Sequence, residues 1–176
     1  MASAGDSPAA LIDSNVIDYA FKPVTRLLAV QILDQVADNY KVVISEYVRF
    51  ELYRGLAMSK IPSLKQLLDS FVALPVDRGV LDVAAALSTC YQSDAQTKDQ
   101  HKSFSDGDII IAATAFRHQS AIITANRRDF PAPYFNEAAK YTVFDSRKRP
   151  ISIYELSPDV SYLNAMLSIC YPKVNA

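Results

Sequence analysis

Glycine is scarce in this chain: its 176 residues hold four, and neither a G-x-G-x-x-G nor a P-loop pattern occurs. That argues against a backbone cradle for nucleotide phosphates. Cysteine is scarcer still, with Cys90 and Cys170 far apart and no C-x-x-C, so both read as small core residues in a reducing, cytoplasmic setting. The two histidines, His101 in a polar stretch and His118 near a helix end, do not form a metal-binding pair. Charge of one sign is not in excess: 18 basic and 19 acidic residues leave a net charge of -1, which speaks against both a global basic field for nucleic acid and an acidic, disordered chain. Any contact with nucleic acid must therefore be local. No apolar run approaches the roughly 18 to 20 residues of a membrane span. The opening "MASAGDSPAA" has neither the basic nor the apolar part of a signal peptide. Internal repeats and low-complexity tracts are also lacking.

What is present is apolar content, half of the chain, enough for one domain with an ordinary core. Residues 1–8 read as a flexible leader, 9–150 as the domain, and 151–176 as a C-terminal helical extension packed on it. Ala9 to Ile12 is a short buried strand ending at Asp13, and the chain then turns helical. Thr25 can cap a helix with Leu27, Leu28, Ile32, Leu33 and Val36 on its apolar face. "YKVVIS" is a β-branched strand, and Ser45 can cap a helix to Met58 that turns Val48, Leu52 and Leu56 inward. Pro62 opens a short helix, "FVALPV" reads as a strand, and Asp77 caps a helix through Val80, Ala84 and Leu87. After the polar loop "YQSDAQTKDQHKSFS" come the helix "DGDIIIAATAFRHQ" and the strands "AIITA" and "YTVFD". "DVSYLNAMLSICY" forms a last helix with Val160, Leu163, Leu167 and Cys170 on one face. Strands alternating with helices predict an α/β fold with a mostly parallel sheet and right-handed crossovers.

In such a sheet ligands bind beyond the carboxyl ends of the strands, and acids fall there. Asp13 follows the first strand. Glu51 lies one residue off the apolar stripe of its helix, at the rim of the buried face, where a carboxylate is costly unless paired, protonated or bound to a cation. Asp106 and Asp108 point in different directions on one helix. Ile111, Ala112 and Ala115 put Asp108 on the inward face and leave Asp106 to capping or solvent. Asn126 and Asp129 follow "AIITA". Carboxylates gathered together stay ionised only with positive charge between them. Oxygen ligands with few histidines suit Mg2+ or Mn2+ rather than Zn2+. The chemistry implied is metal-dependent hydrolysis of a phosphodiester.

Four segments, "LIDSNVI", "ISEYVRFELYRG", "DGDIIIAATA" and "IITANRRDF", stand in an order and spacing that resemble the PIN-domain ribonucleases, among them the toxin components of bacterial toxin-antitoxin pairs. The resemblance covers residues 9–145. It implies a PIN-like α/β/α sandwich around a central, mostly parallel sheet, with Asp13, Glu51 and Asp108 as the acidic metal-binding core. Asp129 is implied as a further catalytic and metal-binding acid. Asn126 stands at the other end of "NRRD", where the family can place an acid; an amide there weakens a second metal and leaves a one-metal mechanism open. Ser14 and Thr124 match supporting positions. The implied substrate is RNA, cut to leave 5′-phosphate and 3′-hydroxyl ends, and the implied partners are a cognate antitoxin and a second copy of the chain. Arg54, Arg127 and Arg128, close to the motifs, are candidate contacts to RNA phosphates, which position a strand without reading it.

Each acid also has a plainer reading. Asp13 can be an N-cap, Ser105 and Asp108 a capping box, Glu51 the i+3 partner of Arg54, and Asp129 a turn residue facing its arginine neighbours. Two other functions compete: a protein-binding or RNA-binding module with a weakened site, and a phosphohydrolase using Asp13 as nucleophile. Against the phosphohydrolase, the D-x-D expected after the first strand is missing, since Ser14 and Asn15 follow Asp13.

Overall fold

The structure, a computed structural model, describes residues 8–22, 25–54, 61–145 and 147–171. Nearly all of the expected leader and the expected helix end at Leu56 and Met58 lie outside them. Short apolar or β-branched segments form the parallel part of the sheet: β1 (Ala9–Ile12), β2 (Lys41–Ser45), β3 (Val72–Leu74) and β4 (Ala121–Thr124). β1 pairs in parallel with β2 and β4, and β3 extends the sheet beyond β2. β4 is buried at all four positions, as a strand covered on both faces must be, and its sequence is accordingly a continuous apolar run without alternation.

Helices α1 (Ser14–Phe21), α2 (Arg26–Ala37), α3 (Glu46–Arg54), α4 (Ile61–Leu68), α5 (Arg78–Ser93), α6 (Asp106–His118) and α7 (Val160–Cys170) flank the sheet. Capping fixes where several begin. The Asp77 side chain accepts from the Val80 N–H at 2.9 Å and the Asp159 side chain from that of Tyr162 at 2.8 Å, each satisfying a donor that the first helical turn leaves over. α6 is buried from Ile111 to Phe116. Its alanines let it lie close to α5 and to the sheet.

The sheet has six strands in the order β3-β2-β1-β4-β6-β5. β5 (Phe135–Phe144) and β6 (Pro150–Pro158) form an antiparallel hairpin, and β6 pairs antiparallel with β4. Here the sequence reading needs correction. Residues 150–158 belong to the sheet, and the helical part of the proposed extension is α7 alone. A boundary at 150 would divide a strand pair. Prolines at both ends of "PISIYELSP" disguised the segment as a linker, yet both sit at strand ends, where a missing N–H is tolerated. β5 also begins at Phe135, ahead of the expected "YTVFD".

Two apolar faces also shift. On α2 the buried residues are Ala29, Ile32 and Val36, while Leu27 is 70% exposed, because two residues from Ala29 is about 200° around a helix. On α7 the buried pair is Leu163 and Met166, with Val160 partly exposed. α7 docks on α5, the Tyr162 hydroxyl donating to Asp94 at 2.8 Å. Cys90 and Cys170, both free thiols, meet across these helices; burial first, and Cys170 second, push the Cys90 thiol up to about 12. Among the described residues no helix is long and apolar enough to cross a membrane.

Leu156, fully buried on β6 opposite Ile122, tests whether this hairpin is part of the domain. Leu156→Ala is expected to cost roughly 2–5 kcal/mol in urea unfolding. A chain ending at residue 149 should lose its cooperative transition.

Candidate active site

The site begins where β1 ends. The Asp13 N–H donates to the Ile123 carbonyl at 3.0 Å, so the residue continues the ladder with β4. Its backbone caps α1, but its side chain makes no capping hydrogen bond. The carboxylate instead faces β4: Oδ2 accepts from Thr124 Oγ1 and from Asn15 Nδ2, each at 2.6 Å, while Oδ1 has the Ser14 hydroxyl at 3.3 Å. Asn15 is locked in turn, its Oδ1 accepting from the Ala125 N–H at 2.9 Å and its Nδ2 reaching Thr124 Oγ1 at 3.2 Å. Burial raises the Asp13 pKa, the charge of Asp108 adds to this, and the Thr124 and Ser14 donors oppose it.

Glu51 comes to the same edge from α3, half-buried. Burial raises its pKa, the Ser14 hydroxyl draws it down, and the charges of Asp13 and Asp108 raise it. Arg54 does not claim it: among the described residues no ion pair joins the two, and the Arg54 guanidinium lies 5.6 Å from the Phe50 ring centroid. The placement of Glu51 depends on Gly107. A Cβ there would stand 2.6 Å from Tyr47 Cε1 and 2.9 Å from Glu51 Oε1, so any other residue would force the Tyr47 ring and the Glu51 carboxylate to move.

Asp108 forms the capping box with Ser105, and one of its oxygens also remains available to the site. Oδ2 accepts from the Ser105 N–H at 2.9 Å and hydroxyl at 2.6 Å, and Ser105 Oγ accepts from the Asp108 N–H at 3.1 Å. Asp106 is exposed. Asp129, on a short 3-10 turn over Arg127–Asp129, accepts from the Asn126 side-chain amide. Burial, then the charges of Asp108 and Asp13, push its carboxyl up to about 7.

Asp13, Glu51, Asp108 and Asp129 thus share one electrostatic neighbourhood, with Ser14 and Thr124 among them. Among the described residues no three such side chains are disposed to hold an ion as they stand, as expected of carboxylates settling their repulsion through separate hydrogen bonds. The donor set is nonetheless all hard oxygen, and three of its four acids carry a raised pKa. This is the electrostatic demand that a divalent cation meets. The arginines part company. Arg128 lines a cleft of about 550 Å³ with Asn126, Asp129, Gln100 and Ser103, whereas Arg127 pairs with Glu137 at 3.1 Å. Sequence reasoning missed Asn15 and Gly107; the available signals were an amide two residues after the acid and one of only four glycines standing between two aspartates.

Comparison with known proteins identifies the family and the fold. The profile of the PIN domain family matches residues 10–136. The Mycobacterium tuberculosis protein named Ribonuclease VapC19 is 29% identical over 103 residues, 58% of this chain and 78% of that protein. A toxin-antitoxin complex from Klebsiella pneumoniae has a chain similar in structure, with TM-score 0.55 and 25% identity over 70% of this chain and 92% of that one. VapBC2 from Rickettsia felis, bound to a DNA fragment from its promoter, shares the fold at TM-score 0.53 and 18% identity, over 69% of this chain and 90% of that one.

Gly107→Ala should destabilise the protein by about 1–3 kcal/mol through overpacking. Gly79→Ala, whose tightest contact at 3.0 Å is the flexible Arg117 side chain, should be close to neutral in the same thermal melts. In metal-free protein, Asp129→Asn should be more stable than wild type at pH 8. The folded Asp129 holds its proton to about 7, whereas the unfolded one releases it near 4. The wild-type penalty therefore grows as pH rises between these values, and the variant's advantage should vanish below about pH 4.

Proposed function

The chain belongs to the PIN-domain family, and we propose that it is a metal-dependent endoribonuclease acting as the toxin of a toxin-antitoxin pair. The observation that carries this reading is the convergence of four carboxyl groups at the carboxyl edge of the sheet, three of them with one oxygen held by a hydrogen bond. Asp13 Oδ2 is held by Thr124 and Asn15, Asp108 Oδ2 by Ser105 and Asp129 Oδ2 by Asn126, which restricts how each carboxylate can turn, and Asp13 Oδ1 has only the longer contact to Ser14. Glu51, placed by the space at Gly107, and Asp129 complete the set.

Asp13, Glu51 and Asp108 would hold Mg2+ or Mn2+, with Asp129 as a further ligand. Bound there, the cation supplies a Lewis acid for a phosphate oxygen and lowers the pKa of water. The chain's own residues contribute position. Thr124 and Asn15 keep Asp13 from turning, Ser14 lies between Asp13 and Glu51, and Arg128 in the cleft offers charge to the RNA backbone. Asn126 donates to Asp129 and brings no charge of its own, which favours one tightly held cation over two. A cognate antitoxin covering the acidic pocket, a homodimer and a cytoplasmic setting complete the reading.

The rival, a binding module with a weakened site, draws on Asn126, and it differs in outcome. Purified protein is expected to cleave single-stranded RNA with Mg2+ or Mn2+, to stop with a chelator and to resume when the metal is restored. Thr124→Val should lower the rate about 10–100-fold, as loss of a group orienting a metal ligand does. Asp13→Asn and Glu51→Gln should lower it further. RNA binding with no cleavage under any of these conditions would decide for the rival.

A further inference from the structure

Beyond residue 136, where the family match ends, the chain builds the β5–β6 hairpin. Its register shows where the turn lies. Thr124, the last residue of β4, stands opposite Tyr154, and β6 runs antiparallel. Pro150, the first residue of β6, therefore lies four residues past the end of β4, about 13 Å at 3.3 Å per residue, on the same edge as Asp13. The described residues before it, Asp145 and 147–149, therefore also lie at the carboxyl edge of the sheet.

The turn is organised by Asp145, which is 6% exposed. Its Oδ1 accepts from the backbone N–H of Arg147 at 2.8 Å and of Arg149 at 2.9 Å, and its Oδ2 from the Arg149 guanidinium at 2.8 Å and 2.7 Å. That carboxylate is satisfied within the turn. Arg147 and Lys148 are exposed and make no ion pair among the described residues. Lys148 has φ 57, a left-handed conformation that suits glycine or asparagine better than lysine.

A cleft of about 630 Å³ opens beneath the turn, lined by Tyr19, Lys22 and Thr25 from the α1–α2 junction and by Arg147, Arg149 and Ile151 opposite. α1 starts beside Asp13, and its eight residues span about 12 Å. Lys22 pairs with Asp18 and lies 5.6 Å from the Tyr19 ring centroid, combining a cation with an aromatic face. The chain as a whole carries a charge of -1 and its acids repel a polyanion, so a grip on nucleic acid has to come from a local patch of this kind.

We propose that the cleft between the α1–α2 junction and the β5–β6 turn is a phosphodiester-binding subsite for the RNA strand leaving the acidic site. Arg147, Lys148 and Lys22 meet its phosphates, and Tyr19 offers a stacking face to a base. The subsite rests on the ribonuclease reading and holds RNA without reading its sequence.

The test measures binding of labelled oligouridylate to the full chain by fluorescence anisotropy, with chelator present and across a KCl series. The variant Arg147→Ala with Lys148→Gly removes two charges and places glycine where φ is positive, so the turn is kept. It should bind on the order of tenfold more weakly at about 0.1 M salt, with a slope of log K against log salt shallower by about 1.4. Lys41→Glu, exposed at the opposite edge of the sheet where β2 begins, should bind as wild type does. Wild-type affinity and slope in the double variant would overturn the subsite, even while both proteins cleave RNA. Loss of binding to poly-glutamate with RNA binding unchanged would also overturn it, assigning the face to an acidic polypeptide. RNA binding through the turn without cleavage in Mg2+ or Mn2+ would support the subsite and refute the nuclease reading alone.

Discussion

The Asp13 carboxylate, 4% exposed and held at one oxygen by Thr124 and Asn15, sets the constraint to which the rest of the edge answers. A buried carboxylate is tolerated only when its hydrogen bonds or a counter-charge compensate for lost water. Here two strong donors compensate at Oδ2, and both come from residues that the β1–β4 pairing brings together. The parallel ladder is therefore more than a scaffold. A slip of one residue between β1 and β4 would turn Thr124 to the opposite face of the sheet and leave Asp13 without its principal donor.

Around that fixed acid, several groups perform a structural and a functional task with the same atoms. Ser105 and Asp108 close the first turn of α6, which any helix entering a core requires. The same bonds fix one Asp108 oxygen beside the acids whose pKa it raises, Asp13 and Asp129. Capping and ligation are therefore not rival explanations of Asp108, because a capping box is an inexpensive way to hold a carboxylate still at a helix start. At Asp13 they do separate: the backbone begins α1 while the side chain turns away to β4.

Much of this was legible in the sequence, and the physics says which part. Asp13 and Asp108 stand beside strong local signals, a buried strand end and a capping box, and Glu51 stands one residue off an apolar stripe. Those patterns depend on neighbours a few residues away. Asn15 depends on Thr124, 109 residues on. Gly107 depends on Tyr47 and Glu51 reaching it from another helix. Local periodicity carries neither relation. The β6 strand was hidden for a similar reason, since its partners are β4 and β5 and its flanking prolines mimic a linker. Leu27 misled in the opposite way: an apolar residue in a helical pattern was read inward, whereas the face that packs is fixed by Ala29, Ile32 and Val36.

The electrostatics of a polyanionic substrate link the site to the rest of the surface. Gathering acids at one edge makes that edge repel the phosphodiester it is to cut, and a cation offsets the repulsion only at the reacting group. The flanking phosphates must be held by other charges, placed far enough away not to neutralise the acids and near enough to share one strand. In a chain with no net positive charge, this requires charge separated along the sheet edge. Arg127 shares its charge with Glu137, and Arg54, over Phe50, acts on Glu51 itself. Arg128 beside Asp129 and the basic β5–β6 turn remain, both beyond the carboxyl end of β4 and on the β4–β6 side of Asp13.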